Sequence, residues 1–367
     1  MTLRAFLAPH IAALRERYAV TVVANVSHGK SLLFDPGVQV VPVPIERRIS
    51  PLRDLWALTC LVSIFRRHHF TVVHSVTPKA GLLAMIAAWI ARVPVRVHFF
   101  TGQVWANPKR PARALLRAID RLIARLATHV LVDSRSQREF LLANRVVSPA
   151  KSTVLANGSI CGVDGERFRP NEAARASIRA LFDIPDKAIL FMFLGRLTRD
   201  KGVIDLAVAF ARLAEEFPAA HLALVGPDEE SLRQEMEATL SRCVQRVRWI
   251  GHTDRPEDYL AAADIFCLPS YREGFGQVAL EAAAAGLPVV ASRIYGIVDA
   301  VVDRETGLLH PPADVEALRS HMETLLLQPD LRRKLGGAGR SRALRDFSAQ
   351  RVTQALLEFY AGITAKL

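Results

Sequence analysis

Continuous apolar runs of four to eight residues alternate along the chain with longer stretches whose apolar positions recur every three or four residues. The first kind reads as strand buried on both faces, the second as amphipathic helix. In the first half, VTVVAN (20–25), VQVVPV (38–43), TVVHS (71–75), VRVHFF (95–100), THVLVDS (128–134) and STVLAN (152–157) predict strands. Helical spacing predicts helices over 3–17, 51–67, 78–92, 110–127 and 135–144. The alternation then restarts. Strands are predicted at 188–195, 220–226, 247–251, 265–270 and 287–292, with helices near 202–216, 229–240, 256–263, 276–285 and 313–328. Such alternation implies parallel sheets with helices on both faces. The polar, Gly-containing stretch NGSICGVDGERFRPNEAA (157–174) reads as the linker between two doubly wound α/β domains.

Length agrees with two domains, since 367 residues supply a core for each. No run of eighteen or more uncharged apolar residues occurs, so no transmembrane helix is expected. The start, MTLRAFLAPHIAALRER, lacks the apolar core and small-residue cleavage site of a signal peptide. Cys60, Cys161, Cys243 and Cys267 are scattered and form no CxxC pair, which argues against a zinc site or a disulfide framework and fits a reducing cytoplasm.

Charge changes the picture more. Residues 1–170 carry 24 Lys and Arg against 9 Asp and Glu, whereas the remainder carries 24 against 27. All the excess positive charge lies in the first half, which points to a polyanionic surface, nucleic acid or anionic lipid, as its partner.

Three loops invite a chemical reading. ANVSHGKS (24–31) ends in Gly29-Lys30-Ser31 like a phosphate-binding loop. That motif needs Gly where Ala24 stands and a helix after Ser31, which Pro36-Gly37 cuts short, so a solvated loop is the better reading. FLGRLTRDKG (193–202) places Arg196, Arg199 and Lys201 between a strand and a helix, where open α/β sheets bind ligands. The third, REGFGQVALEAAAAGLPVVAS (272–292), has Glu273 and Glu281 bracketing a Gly-Phe-Gly turn. Helix-start amides there favour an anion. A carboxylate in the same loop favours hydroxyls. Phosphates and hydroxyls together describe a nucleotide-sugar; an exposed helix carboxylate is the plain alternative.

The spacing Glu273-Gly274-Phe275-Gly276-(four residues)-Glu281, followed by AGLPVV (285–290), resembles the E-x7-E motif of retaining GT-B glycosyltransferases of family 4. GRLTRDKG (195–202), LVGPDEE (224–230), VRWIGHTDRPEDYLAAADIFCLPS (247–270), DRETGLLHPPADVEAL (303–318) and NGSICGVDGERF (157–168) extend the resemblance over essentially all of 70–350. It implies two Rossmann-like domains facing a cleft, at 1–165 for the acceptor and 166–346 for the nucleotide-sugar. A terminal helix, 347–367, would pack back on the first domain. By the same resemblance Glu281 takes the ribose and Glu273 the transferred sugar's hydroxyls. Arg196 and Lys201 clamp the diphosphate, assisted by the amides of Gly274, Phe275 and Gly276. Ile250 and His252 lie where the family holds the base, uridine most often. His98, after a strand, matches the residue facing the reacting sugar, against the plain reading of a core histidine. No cofactor is implied, and no metal, since positive side chains and amide dipoles stabilise the leaving group.

The acceptor side is read from PKRPARALLRAIDRLIARLA (108–127). Arg113, Arg117, Arg121 and Arg125 recur every four residues as a stripe that reads as membrane-facing, or else as a solvated helix face. HFFTGQVWANPKR (98–110) resembles enzymes that extend polyprenyl-diphosphate-linked glycans. The expected partners are therefore a nucleotide-sugar donor, a lipid-linked glycan acceptor and an anionic membrane, on the inner face of the cytoplasmic membrane. Nucleic acid is not expected, for lack of a recognition helix or interleaved aromatics. In this family a strand and a Gly-rich loop precede the helix at 3–17. The reading frame is therefore expected to start upstream, since the neighbouring strands would otherwise separate around a gap or close over it. Two alternatives remain open: an impaired homologue that only binds its ligand, and a GT-B sugar-nucleotide epimerase.

Overall fold

The computed structural model describes residues 6–26, 38–46, 50–106 and 112–365. Gly29, Lys30 and Ser31 of the phosphate-loop-like segment, the first residues of the opening helix and the segment 107–111 lie outside the described residues.

The chain forms two compact units, Met1–Cys161 with Ala349–Leu367, and Gly162–Ser348. The second unit is built on a six-stranded parallel sheet of order β12-β11-β10-β7-β8-β9. Its strands are β7 (Ile189–Leu194), β8 (Ala220–Val225), β9 (Val247–Ile250), β10 (Ile265–Leu268), β11 (Val289–Ser292) and β12 (Gly307–His310). Nearly every residue of β7, β8, β10 and β11 is buried, as unbroken apolar runs demand of strands covered on both faces. Helices α7 (Val203–Glu216), α10 (Gln277–Ala284) and α12 (Val315–Leu327) supply the covering layers.

Besides β12, which no predicted strand covers, two longer helices here escape the hydrophobic pattern. The predicted linker ends early, because α6 (Glu172–Leu181) starts inside it, with the Asn171 side chain accepting from the Ala174 amide at 3.1 Å. Arg175 and the buried Arg179 of α6 then hold Asp264, ahead of β10, at 2.7 and 3.2 Å. The other is α13 (Pro329–Phe347), which is helical despite Gly336, Gly337 and Gly339. A side chain at Gly336 would run into the backbone carbonyl of Gly286, so this glycine lets two segments touch.

In the first unit, β3 (Val72–Val76), β4 (Val95–Phe100), β5 (His129–Val132) and β6 (Ser152–Thr153) form a parallel sheet in that order. β1 (Thr21–Ala24) and β2 (Gln39–Pro42) pair with each other in a separate two-stranded sheet. The single sheet predicted for the first half is thus two sheets among the described residues. β6 is also shorter than its apolar run. The helices are α1 (Ala8–Arg15), α2 (Pro51–His68), α3 (Pro78–Ile90), α4 (Arg113–Leu126) and α5 (Arg135–Ala143). The last helix, α14 (Ala349–Thr364), belongs to this unit. Its Tyr360 hydroxyl lies 2.9 Å from His74 Nδ1, and its Thr353 hydroxyl 2.9 Å from His10 Nδ1.

Candidate active site

The strand order of the second unit reverses between β7 and β10: β8 and β9 follow on one side, β11 and β12 on the other. The loops leaving β7 and β10 therefore diverge at their carboxyl ends, which opens the crevice where doubly wound sheets hold ligands. The first loop carries Arg196 and Lys201, the second Glu273.

The two loops are tied together. Lys201 Nζ pairs with Glu273 Oε1, and both side chains are largely buried. The buried Ser270 hydroxyl donates to the same oxygen at 3.0 Å. The Tyr271 amide donates to the Asp200 carbonyl at 2.9 Å, and the Tyr271 hydroxyl to Asp205 at 2.5 Å. Arg272 reaches Asp200 at 3.3 Å. Gly202, at φ 68°, caps the turn after Lys201 and starts α7. A Cβ there would overlap the carbonyl of Pro269 at the base of the Glu273 loop.

The other predicted cations are also paired. Arg196 meets Glu229 at 2.9 Å, and Arg199 meets Glu235 at 2.5 Å. Glu229 and Glu230 lie in the loop after β8, and the Glu230 carboxylate accepts from the Arg199 amide at 3.0 Å. Clamp and counter-charges thus occupy three adjacent strand ends. Gly276, at φ 78°, starts α10, and the buried Phe275 ring packs on Phe347 with centroids 5.2 Å apart. The Phe275 side chain serves the core, which leaves its amide to the loop.

Glu281 stands one turn into α10 beyond Gln277, and the Gln277 side chain hydrogen-bonds its carboxyl. Gln277 Nε2 also donates to the Gly162 carbonyl at 2.7 Å. Arg167 and Glu257, paired at 2.8 Å, both act electrostatically on Glu281. Arg167 also reaches the Asp254 carbonyl at 3.3 Å, and Asp254 lies 3.3 Å from His252. Ile250 ends β9, and its carbonyl accepts from Gly226 at 2.8 Å. Thus the predicted base-holding stretch connects through Arg167 to Glu281. Sequence reasoning missed Arg167, Gln277, Ser270 and Glu229. Only Gln277, four residues before Glu281 on one helix, carried a local signal.

Burial pushes the Glu281 carboxyl up to about 7, opposed by the Gln277 hydrogen bond and the Arg167 charge. A carboxyl raised in this way favours folding while protonated. That contribution is complete below its ordinary 4.5 and is lost as pH rises through about 7. Glu281→Gln cannot ionise. In thermal or denaturant melts the ligand-free variant should exceed wild type by about 1–3 kcal/mol near pH 8 and match it near pH 4.

His98 lies in the first unit, on β4. It is 1% exposed, with Nδ1 2.8 Å from the Ser75 hydroxyl and the ring edge-on to Phe100. Burial, then the neighbouring His74, lowers it to about 3, so the imidazole is neutral at physiological pH. The ring fits because residue 81 is glycine: a Cβ there would overlap it. His98 borders a cavity of about 40 Å³ with Thr77, Thr101, Gln103, Trp105 and Asp120. Trp105 Nε1 donates to Asp120 at 2.7 Å, and burial raises that carboxyl to about 6. Asp120 was hidden in the sequence, where it reads as one counter-charge within an arginine stripe.

The stripe itself divides. Arg113 and Arg117 are half-buried, with Nε atoms shielded from solvent, while Arg121 and Arg125 are exposed. The four do not form one solvated face. Among the described residues, no helix is long and apolar enough to cross a membrane.

Known proteins match along the chain. Residues 4–158 match the family described as "Glycosyl transferase 4-like domain", and residues 174–342 the one described as "Glycosyl transferases group 1". A "Capsular polysaccharide biosynthesis glycosyltransferase CapM" of Staphylococcus aureus is 29% identical, covering 91% of this chain and 88% of its own. A "UDP-Gal:alpha-D-GlcNAc-diphosphoundecaprenol alpha-1,3-galactosyltransferase" of Escherichia coli is 26% identical over 82% of this chain and 78% of its own. The fold matches that of Anabaena Alr3699/HepE, solved in complex with UDP-glucose. There the TM-score is 0.81 at 21% identity, over 96% of this chain and 94% of that one.

Proposed function

The chain belongs to the group 1, GT4-like glycosyltransferases with the GT-B fold, and on that premise we propose a specific reaction. It moves a hexose or N-acetylhexosamine from a UDP-sugar, with retention, to a lipid-linked glycan at an anionic membrane, in surface polysaccharide synthesis. The observation that carries this reading is the meeting of Lys201 and Glu273 at the strand-order reversal, one helix start away from Glu281.

Chemistry follows from those positions. Glu281, with Gln277 beside it, accepts from the ribose hydroxyls. Arg196 and Lys201 turn from Glu229 and Glu273 toward the diphosphate, and the freed Glu273 carboxylate receives hydroxyls of the sugar. The bond from the anomeric carbon to the diphosphate oxygen breaks as the acceptor oxygen attacks from the same face. The acceptor's proton passes to the departing diphosphate. The cations balance the charge that develops there, with no metal or cofactor in this scheme. His98, held neutral by burial, can offer a hydrogen bond but not a charge. The UDP-glucose in the HepE structure and the diphosphoundecaprenol in the E. coli relative's name support donor and acceptor.

Titration calorimetry with UDP tests the donor side. Glu281→Gln and Arg196→Ala should each weaken binding by roughly 1.5–3 kcal/mol, the loss of a charge-assisted hydrogen bond. Unchanged affinity in both would remove the site assignment. Release of UDP from UDP-sugars separates the remaining alternatives. A transferase releases it only when membranes carrying acceptor are added, an epimerase without them, and a binding-only homologue in neither case.

A further inference from the structure

A second cavity lies in the first unit where α4 ends and β5 begins, at the amino-terminal end of the four-stranded sheet. The residues that line the His98 cavity from Thr101 to Trp105 instead follow the carboxyl end of β4. This open cavity encloses about 620 Å³. Arg121, Arg125, Arg145 and Lys151 surround it, and Ala124, Val130, Leu142 and Val146 form its apolar floor. No Asp or Glu lines it among the described residues.

The four cations fall into two kinds. Arg121 and Lys151 cap helices: Arg121 donates to the carbonyls of Asn144 and Arg145 at 2.8 and 3.1 Å, and Lys151 to that of Ala127 at 3.0 Å. Those acceptors are neutral, so both charges remain uncompensated. The guanidiniums of Arg125 and Arg145 have neither hydrogen bond nor ion pair among the described residues. Leu122, on the exposed face of α4 between Arg121 and Arg125, is 41% exposed.

We infer that this groove receives the phosphoryl headgroup of an anionic membrane lipid. Phosphate oxygens suit planar guanidinium forks. The apolar floor and the exposed Leu122 suit an amphiphile better than a free phosphate, whose whole surface is hydrated. The site deepens the membrane part of the proposed function and is independent of the donor chemistry.

The test uses the full chain and co-sedimentation with vesicles of phosphatidylcholine alone and of equal parts phosphatidylcholine and phosphatidylglycerol. The variant is Arg125→Gln with Arg145→Gln, which leaves both helix caps in place. Wild type should bind the mixed vesicles only. The double variant should bind them about 25-fold more weakly, the product of two charge contacts of roughly fivefold each. Arg125→Lys with Arg145→Lys should retain most of the binding, which separates lost charge from lost folding. Failure of wild type to bind the mixed vesicles overturns this site and the membrane reading together. Wild-type binding matched by the glutamine variant overturns the site alone. Saturable binding of glycerol phosphate that accounts for the whole effect would make the groove a soluble-phosphate site and overturn the lipid assignment.

Discussion

Lys201→Ala is expected to lower turnover by about 10²–10³-fold, the usual cost of removing one group aimed at developing transition-state charge. In the proposed reaction Lys201 balances the departing diphosphate, and it is also the partner of Glu273. Its loss leaves the Glu273 carboxylate, nearly buried, with the Ser270 hydroxyl still donating to it at 3.0 Å. Glu273→Gln provides the complementary measurement. It keeps an acceptor for Ser270 and removes the charge that receives the sugar's hydroxyls, so turnover should fall while UDP affinity stays near wild type. Steady-state UDP release with saturating donor, set beside UDP calorimetry, separates the two effects. Near-normal turnover in Lys201→Ala, or a Glu273→Gln loss confined to UDP affinity, would mean that this pair only holds the two loops together.

Gly202→Ala carries the largest expected effect on stability, about 2–4 kcal/mol. Two costs add. The residue sits at φ 68°, which an L side chain adopts at a cost of about 1 kcal/mol or more. The new methyl also overlaps the Pro269 carbonyl, which is backbone and cannot turn aside as a side chain would. The strain falls on the junction of the Lys201 and Glu273 loops, so activity should drop with stability. Gly337→Ala in α13 is the control, because nothing lies within 4 Å of its added methyl. A denaturant midpoint for Gly202→Ala equal to that of the control would show that the loops part without cost.

The paired state of the donor-site cations bears on both experiments. Arg196 holds Glu229 and Lys201 holds Glu273, so the protein's own carboxylates neutralise the clamp in the absence of a phosphate. Isolated cations converging at the end of a buried strand would repel one another. In the proposed reaction, donor binding exchanges one set of anions for another rather than filling an unpaired basic pocket, which moderates the net affinity that any one contact supplies.

The sequence by itself determined the local elements and singled out the residues proposed for the donor. Strands such as Ile189–Leu194 and helices such as Val203–Glu216 are written in positions a few residues apart, where buried faces repeat with a fixed period. Glu273 and Glu281 were legible for the same reason: eight residues apart, they share one loop and helix. The tertiary structure alone decided which strands are neighbours, and so that the loops of β7 and β10 meet. It decided that Glu229 would face Arg196, that Arg167 would stand near Glu281, and that β1 and β2 would form a sheet apart from β3. It also turned the glycine-containing 329–347 into a helix, through backbone contact at Gly336 that propensity does not register. The arginine stripe reads as one face by its four-residue spacing. Packing divides it, because 3.6 residues per turn carry each successive arginine about 40° around α4. Arg113 and Arg117 are consequently half-buried, while Arg121 and Arg125 border the basic groove. Periodicity fixes what neighbours along the chain share; contacts between segments far apart depend on shape and charge that come together only when the chain packs.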